Sequence, residues 1–367
     1  MRTIVISAVN IRKGGTLTIL RSCLEYLSVL AQEGQFRIVA LVHKRELCYY
    51  QGIEYIEIPD TVKSWGRRLW CEYVTMHRIS KSLSPIHLWL SLHDTTPRVV
   101  AERQAVYCQT SFPFMHCRLK DLRFDYKIVL FSLFTRFAYR ANVQKNKYLI
   151  VQTEWLRKGL SGMLHLPENR FIVAPPQKEQ IRTTCQPRPA NHVYTFLYAA
   201  TPDCHKNFEL LCRASQLLEK EVGFNKFKVI LTISGTENKY SGHIYRQWGK
   251  VSSLKFAGFM KRDDLYECYA QADCLVFPSR IETWGLPISE FMAFGKPMLL
   301  ANLPYAHETA AGSSQTAFFN SQDPNELKSQ MKLLISGKCN FLKEITVSKV
   351  NEPKANSWKD LFALLLK

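Results

Sequence analysis

Short apolar runs alternate with amphipathic stretches along most of the chain. Residues 17–30, for example, repeat their apolar positions with the period of a helix. The apolar runs of the first half have the length and composition of buried strands, and they cover residues 3–9, 37–42, 87–92, 104–108, 148–152 and 170–173. Strands that alternate with helices form parallel sheets covered on both faces. The first half is therefore predicted to be a doubly wound α/β domain.

A change of composition separates the two halves. Residues 174–192 contain four prolines and few apolar side chains, which is typical of a linker. Beyond them the alternation resumes, and the predicted strands cover residues 195–200, 228–234, 254–259, 273–279 and 296–302. At 367 residues the chain also exceeds what one hydrophobic core usually supports. We expect one Rossmann-like domain over residues 1–185 and a second over residues 186–345.

The formal net charge of the chain is +18, and most of the excess lies in the first half. Residues 1–192 contain 28 Lys and Arg against 14 Asp and Glu, whereas residues 193–367 contain 21 against 17. Such a basic surface attracts nucleic acid, anionic lipid or phosphorylated substrates, and charge alone does not decide among them. The cysteines are not closely paired, and no secretory signal or membrane-spanning apolar run is present. These features predict a cytoplasmic protein with reduced thiols.

The stretch RIETWGLPISEF, residues 280–291, follows the predicted strand 273–279. Ligands of doubly wound sheets bind beyond the carboxyl ends of the strands, which is where this stretch lies. Pro287 is expected at the first position of a short helix whose free N–H groups suit a diphosphate. Glu290, in the first turn, would repel a phosphate and should face neutral hydroxyls such as those of a ribose. Glu282 would face the group beyond the diphosphate, so the two glutamates are predicted to bracket a nucleotide sugar.

The motif E-T-W-G-L-P-I-S-E resembles the E-x7-E motif of the retaining family 4 glycosyltransferases. F-P-S before it and A-F-G-K-P after it are similar to that family's sequences, as are F-A-G-F, D-D-L-Y and H-E-T-A-A-G elsewhere in the C-terminal half. The resemblance implies the α/β GT-B fold, in which two tandem Rossmann-like doubly wound domains face a cleft. It also implies that a C-terminal helix, here within residues 346–367, crosses back to the first domain. Packing of that helix within the second domain is the alternative.

The resemblance also assigns residues to the donor substrate. Glu290 is implied to hold the nucleotide ribose, and Glu282 to contact the donor sugar near its reacting carbon. Lys206, at a turn from strand to helix, is implied to contact the diphosphate. The other implied donor-binding residues are the N–H donors Gly285 and Leu286, the base neighbours Phe259 and Met260, the loop residues Gly14, Gly15 and Gly235, and Trp284.

Two features depart from the family's pattern. Many members carry an arginine about six residues before the lysine, whereas this chain has Ala200 in that neighbourhood, so the phosphate charge has to be met elsewhere. Many members also carry a histidine where this chain has Gln109, which either contacts the donor sugar through its amide or leaves the site weakened. His93 and Asp94, after a predicted strand, belong either to the sugar or acceptor pocket or to a turn with a packed histidine. With Glu282, these three residues are the candidate catalytic groups.

No Asp-x-Asp occurs in the chain, which fits transfer without a metal. No cofactor is expected, and the UDP- or GDP-linked donor is a substrate. Basic and aromatic residues interleave in residues 63–73 and 118–147, which suits an anionic membrane surface, although the aromatics of 118–147 fit a core equally well. The resemblance implies a retaining hexosyltransferase that acts at the cytoplasmic face of the inner membrane. Its expected acceptor is a lipid-linked glycan in O-antigen, capsule or other surface-polysaccharide biosynthesis.

Two alternatives remain open. One is a transferase-like scaffold with weakened catalysis, which Gln109 and the missing arginine both allow. The other is a nucleic-acid-binding protein, which the basic charge suggests. No zinc-ligand spacing and no RNA-binding signature supports the second alternative, so nucleic acid is not an expected partner.

Overall fold

The computed structural model describes residues 1–177 and 193–367. These residues form two compact units, each built on one parallel β-sheet with flanking helices. The first unit contains Met1–Pro113, Leu133–Gln177 and Val350–Lys367. The second contains Phe114–Ser132 and the described residues 193–349.

The strands of the first sheet are β1 Arg2–Ala8, β2 Phe36–Val42, β3 Ile53–Glu57, β4 Ile86–Ser91, β5 Arg103–Tyr107, β6 Tyr148–Val151 and β7 Phe171–Val173. Their order in the sheet is β3-β2-β1-β4-β5-β6-β7, and every neighbouring pair is parallel. Six of these strands correspond to predicted runs. The seventh, β3, was not predicted, because its sequence IEYIE mixes apolar and acidic residues as a half-exposed edge strand does.

The strands of the second sheet are β8 Tyr194–Tyr198, β9 Phe227–Leu231, β10 Leu254–Phe256, β11 Cys274–Phe277, β12 Met298–Ala301 and β13 Thr316–Phe319. Their order is β10-β9-β8-β11-β12-β13, again with parallel neighbours. Five correspond to predicted runs. The edge strand β13, TAFF, was not predicted.

The α-helices of the described residues are α1 Gly14–Gln32, α2 Trp65–Trp70, α3 Met76–Ser82, α4 Leu119–Arg140, α5 Glu154–Leu164, α6 Phe208–Val222, α7 Lys239–Trp248, α8 Arg262–Gln271, α9 Leu286–Met292, α10 Pro304–Thr309, α11 Pro324–Ile335 and α12 Trp358–Leu365. Helix α4 is interrupted at Asp125, where φ is −151° and ψ is 83°. No helix among residues 1–177 and 193–367 is both long enough and apolar enough to cross a membrane.

The C-terminal helix α12 packs on α1 within the first unit. The rings of Phe362 and Tyr26 stack with 5.6 Å between their centroids, and Trp358 Nε1 donates to Ser22 Oγ at 2.8 Å. Ser357 caps α12 by accepting a hydrogen bond from the Asp360 N–H, as the S-x-x-D pattern predicts. This apolar face completes the core on one side of the first sheet.

A buried arginine on α5 holds the segment that leads to α12. The Arg157 side chain is 1% exposed and forms an ion pair with Glu154. Its guanidinium also donates to the carbonyl oxygens of Asn351 at 2.8 Å and Pro353 at 3.4 Å. Because these carbonyls belong to the returning segment, Arg157 ties residues 350–357 to the strand β7 edge of the first sheet.

The segment Phe114–Ser132 groups with the second unit, whereas the predicted boundary placed all of residues 1–185 in the first domain. Asp121 in this segment forms an ion pair with Arg280 at 2.9 Å. The ring of Phe124 packs against Tyr240 with 5.5 Å between centroids. These contacts join residues more than 100 positions apart, so no local sequence pattern marks this boundary.

In both sheets the strand order reverses at one place, between β1 and β4 in the first and between β8 and β11 in the second. Ligands of doubly wound sheets bind where the carboxyl ends of such strands diverge. The loops after these four strands carry Gly14, His93, Lys206 and Glu282, respectively. The topology thus brings the predicted site residues of each unit to the reversal point of its sheet.

Candidate functional site

An ion pair occupies the reversal point of the second sheet. Lys206 Nζ lies 2.6 Å from Glu282 Oε1, and the two side chains are only 14% and 13% exposed. The sequence predicted that both residues contact one ligand, and the structure brings them into direct contact. Because the pair is largely removed from water, its charges interact more strongly than a surface pair would.

Hydrogen bonds fix the backbone beneath Lys206. The buried Tyr198 hydroxyl donates to the Lys206 carbonyl oxygen at 2.7 Å. Asn207 has a left-handed backbone, with φ of 59°, and its amide donates to the carbonyl oxygens of Pro278 at 3.2 Å and Ser321 at 2.9 Å. The loop after β8 is therefore tied to the loops after β11 and β13.

Arg280 is a site residue that the sequence analysis did not identify. Its Nη2 donates to both oxygens of Asp121, at 2.9 and 3.0 Å, and to the Cys204 carbonyl oxygen at 3.1 Å. The backbone N–H of Arg280 also donates to the His205 carbonyl oxygen at 2.8 Å. Arg280 thereby fastens the loop of Glu282 to the loop of Lys206. One feature of the sequence could have pointed to Arg280. Because the arginine that many family members carry before the lysine is missing here, another cation was to be expected near Lys206.

Helix α9 begins at Leu286, one residue earlier than predicted, so Pro287 occupies its second position and Glu290 its second turn. The cause is Gly285, whose φ of 94° lets the chain turn into the helix before the proline. A Cβ at Gly285 would lie 3.2 Å from Ile288 Cδ1, so the position is crowded as well as left-handed. Glycine satisfies both constraints.

Tyr269 positions the second glutamate. Its hydroxyl donates to Glu290 Oε2 at 3.0 Å. Burial raises the pKa of Tyr269 well above its usual value, and the neighbouring Glu290 charge raises it further, so the hydroxyl keeps its proton. Tyr269 lies on α8, 21 residues before Glu290, and the sequence analysis did not connect the two.

Trp284 anchors the loop between the two glutamates. Its Nε1 donates to Ser289 Oγ at 3.1 Å, and its carbonyl oxygen accepts a hydrogen bond from the Thr309 hydroxyl. Both ends of the residue are held within the second unit. These hydrogen bonds help to keep the 282–286 loop in shape.

Three further candidate donor residues, Gly235 and the expected base neighbours Phe259 and Met260, lie beyond the carboxyl ends of the neighbouring strands β9 and β10. Gly235 has a φ of 95°, and a Cβ there would fall 2.5 Å from Tyr245 Cβ, so only glycine fits. Phe259 is 85% exposed in the loop after β10, whereas Met260 is half-buried. A Cβ at Gly258 would lie 3.7 Å from Ser234 Cβ, which shows that the two loops touch.

In the first unit, the glycine pair opens helix α1 instead of preceding it. Gly14 has a φ of 72° at the helix start, a conformation that favours glycine. No heavy atom lies within 4 Å of the position that a Cβ on Gly14 would take. The backbone conformation, rather than crowding, therefore requires glycine at Gly14, while Gly15 continues the helix.

His93 lies in the interior of the first unit, 1% exposed. Its Nε2 is 3.0 Å from Ser7 Oγ, its Nδ1 is 3.0 Å from Thr95 Oγ1, and Glu72 Oε1 lies 3.5 Å away. Burial lowers the pKa of His93 to about 4 although Glu72 acts in the opposite direction. Arg68 holds this cluster by bonding both Glu72 and the His93 carbonyl oxygen at 2.9 Å. The structure thus places His93 as a packed, neutral histidine.

Asp94 and Gln109 are brought together beside it. Asp94 has a left-handed backbone, with φ of 70°, and its Oδ1 accepts from the N–H groups of Gln109 and Thr110 and from the Tyr139 hydroxyl. Burial raises the pKa of Asp94 above its usual value. The Gln109 amide donates to the Leu92 carbonyl oxygen at 2.7 Å, and its Oε1 is buried without a hydrogen-bond partner among the described residues.

No group of three or more His, Cys, Asp or Glu side chains within residues 1–177 and 193–367 is close enough to hold a metal ion. The second unit instead offers a cation, two carboxylates and an exposed aromatic ring. An ammonium group can bind an anion, carboxylates can accept hydrogen bonds from hydroxyl groups, and an aromatic ring can stack on a flat ligand.

Residues 186–347 match the family model described as "Glycosyl transferases group 1". The O-antigen chain mannosyltransferase B of Escherichia coli is 28% identical to this chain over 131 residues, which cover 36% of this chain and 33% of that protein. The matches to curated relatives span no more than a third of those relatives' length.

Solved structures with little sequence identity share the fold. Sucrose-phosphate synthase from Thermosynechococcus elongatus has a TM-score of 0.63 and 12% identity, over 100% of this chain and 95% of that one. HepE of Anabaena, solved in complex with UDP-glucose, has a TM-score of 0.64 and 13% identity, over 93% and 92% of the two chains. The predicted α/β fold, similar to that of GT-B glycosyltransferases, is confirmed.

The buried pair of Asp121 and Arg280 generates a prediction about stability. Asp121→Asn should lower the free energy of unfolding by about 3 kcal/mol, because it leaves a largely buried cation without its carboxylate. The matched control is Glu54→Gln, which breaks the exposed pair with Arg37 and should cost at most about 1 kcal/mol. Denaturant unfolding of the three proteins measures both values. Equal losses in the two variants would contradict the structural role of Asp121.

The burial of His93 predicts a pH dependence. In the unfolded chain this histidine gains a proton below about pH 6.5, whereas the folded protein resists protonation until about pH 4. Its contribution to stability is therefore complete above pH 6.5 and is lost as the pH falls toward 4, by about 3 kcal/mol. In His93→Gln, stability should fall less steeply over this range, as measured by unfolding at several pH values. His116→Gln, which changes an exposed histidine, should keep the wild-type slope, and an unchanged slope in His93→Gln would refute the prediction.

Proposed function

We propose that this chain is a glycosyltransferase that moves a hexose-type sugar from a UDP- or GDP-linked donor to a glycan acceptor, with retention of configuration. The observation that carries the proposal is the largely buried Lys206–Glu282 pair at the reversal point of the second sheet, within the residues that match the group 1 model. A cation beside a carboxylate suits a ligand whose negative diphosphate adjoins a hydroxyl-rich sugar.

The contacts of the second unit support a division of roles. Lys206 would bind the diphosphate, and Glu282 would turn to the hydroxyl groups of the sugar once the donor shares the lysine. Glu290, held by Tyr269, is preset to accept hydrogen bonds from a ribose. The exposed ring of Phe259 offers a surface on which the base would stack.

Arg280 supports the phosphate role of Lys206 despite the missing arginine. Its Nε and Nη1 are buried without hydrogen-bond partners among the described residues, so the guanidinium is not fully satisfied by Asp121 and Cys204. A buried cation raises the electrostatic potential over its surroundings even where it does not touch the ligand. Asp121 offsets most of this charge, so we propose that Arg280 supports the phosphates chiefly by holding the loop of Lys206 in place.

The name of the similar Escherichia coli protein supports surface-polysaccharide synthesis as the setting, with mannose as one candidate sugar. A lipid-linked acceptor would bring the enzyme to the inner membrane. Helix α2 supports such an attachment because Trp65, Leu69 and Trp70 are 57%, 51% and 63% exposed. Arg67, on the same helix, is 55% exposed but forms an ion pair with Asp60 at 3.5 Å, so the attachment rests on the apolar side chains. Arg68 does not belong to this surface, since it holds Glu72 in the interior.

One observation favours the weakened scaffold as a second candidate. Gln109 stands where many family 4 members have a histidine, and its amide group donates to a backbone carbonyl oxygen instead of facing outward. An absence of both donor hydrolysis and transfer, together with intact nucleotide binding, would favour this candidate over the active enzyme.

The two glutamates provide the test of the proposed function. Glu290→Gln should weaken binding of the free nucleoside diphosphate and of the donor at least about tenfold, because both carry the ribose. Glu282→Gln should leave diphosphate affinity unchanged or higher, since Lys206 loses its competing partner. Transfer should nevertheless fall about tenfold for each 1.4 kcal/mol of lost transition-state stabilisation. Calorimetry with the nucleoside diphosphate and kinetics with the intact donor measure the two effects.

Glu267→Gln, an exposed change on α8, is the control and should alter neither binding nor transfer. Lys206→Ala should weaken diphosphate binding and transfer together. If Glu282→Gln weakens diphosphate binding as much as Glu290→Gln does, the division of roles is wrong. If neither variant changes binding or transfer, the proposal of a donor site at this pair fails.

The exposed face of α2 predicts binding to anionic vesicles. Leu69→Ser with Trp70→Ser should weaken binding about tenfold or more, because each apolar side chain contributes up to about 1.5–3 kcal/mol when it leaves water. The control is Phe224→Ser with Val347→Ser, two exposed apolar side chains of the second unit. Co-sedimentation with phosphatidylglycerol vesicles measures both. Equal losses in the two variants, or none, would exclude α2 as the membrane surface.

A further inference from the structure

A basic pocket of about 420 Å³ lies in the second unit, at the start of helix α7. Three of its lining side chains are cations and none is a carboxylate. The residues that line it are Arg123, Phe124, Gly235, Asn238, Lys239, Gly242, His243 and Arg246. Of the candidate donor residues, only Gly235 belongs to it, whereas Lys206, Glu282 and Glu290 do not.

Packing holds the cations around this space. The ring of Phe124 lies against the ring of His243, with 4.9 Å between centroids, and this contact brings the neighbouring Arg123 to α7. Gly242 has no side chain to fill the pocket, and a Cβ there would lie 3.6 Å from Arg246 Nη1. The Arg246 guanidinium therefore folds back along α7 toward its first turn, as long helical side chains do.

The three cations that line the pocket are not paired with carboxylates of the described residues. Arg123, Lys239 and Arg246 form no ion pair among the described residues, although many other cations of the chain do. Lys239 is the first residue of α7, at the positive end of the helix dipole, and the first turn contains no acidic residue. The capping box of Asn238 and Ser241 already uses the side-chain acceptor at this end. Like charges around one cavity repel one another, and a bound anion would offset this repulsion.

We propose that this pocket is a second anion site, which binds a diphosphate or another ligand with adjacent phosphate groups. The planar guanidinium groups of Arg123 and Arg246 can each donate two parallel hydrogen bonds to phosphate oxygens. Lys239 adds a point charge, so three positive charges face the two or three negative charges of a diphosphate. The rings of Phe124 and His243 line the same space and can contact an organic group attached to the phosphates. The site does not depend on the proposed transferase activity.

Binding of inorganic pyrophosphate tests the site directly. Arg123→Gln with Arg246→Gln should weaken pyrophosphate binding at the pocket at least tenfold by calorimetry. The matched control is Arg213→Gln with Lys250→Gln, which removes two exposed cations outside the pocket and should bind as the wild type does. Thermal unfolding of each variant verifies that it is folded.

Lys206→Ala separates this pocket from the donor site, because it leaves the pocket intact and should retain the second binding event. If Lys206→Ala abolishes all pyrophosphate binding while the pocket variant binds normally, the proposal is overturned. The phosphates can belong to a free ligand or to a lipid headgroup, and sedimentation with vesicles that contain cardiolipin, whose headgroup carries two phosphates, distinguishes these sources. Loss of vesicle binding in the pocket variant, with no pyrophosphate binding in the wild type, supports a headgroup. No change in either assay overturns the site.

Discussion

The buried ion pair between Arg280 and Asp121 is the contact on which the geometry of the candidate site depends. Arg280 follows β11, and its guanidinium and N–H reach carbonyl oxygens of the loop after β8. Asp121 comes from a segment 159 residues earlier and neutralises the guanidinium away from water. Without this carboxylate, a cation that is 10% exposed would be strongly unfavourable in the interior. The ion pair therefore fixes the distance between the loops of Lys206 and Glu282.

The Lys206–Glu282 pair has two consequences for a charged ligand. It keeps the lysine in place before the ligand arrives, which reduces the conformational entropy that binding has to overcome. It also makes the Glu282 carboxylate a competitor for the Lys206 ammonium group. A diphosphate would therefore gain only the difference between its own interaction with Lys206 and that of Glu282. At Glu290, the Tyr269 hydroxyl donates a hydrogen bond to the carboxylate, and burial keeps the proton on that hydroxyl.

Local patterns predicted the strands and the E-x7-E segment because buried parallel strands and a glycine-proline helix start each leave a short signature in the sequence. The edge strand β3 was not predicted because half of its side chains face water. Helix α9 begins one residue before its predicted start because Gly285 adopts a left-handed backbone. The contacts of Arg280 with Asp121 and of Glu290 with Tyr269 were not predicted, for another reason. Each pair joins residues that are far apart in sequence, and no periodic pattern encodes which distant polar groups meet. The place of residues 114–132 in the second unit was missed for the same reason.

Net charge is a poor guide to where an anion binds, and the two units show why. Among the described residues, the first unit has 24 Lys and Arg against 13 Asp and Glu, and the second has 22 against 17. The larger excess thus lies in the first unit, yet Lys63 and Arg67 there face Asp60, and Arg37 faces Glu54. In the second unit Arg123, Lys239 and Arg246 surround a single cavity that no carboxylate lines. Because screening shortens the reach of surface charges to about 8 Å at physiological ionic strength, the local balance of charges decides where a phosphate is held.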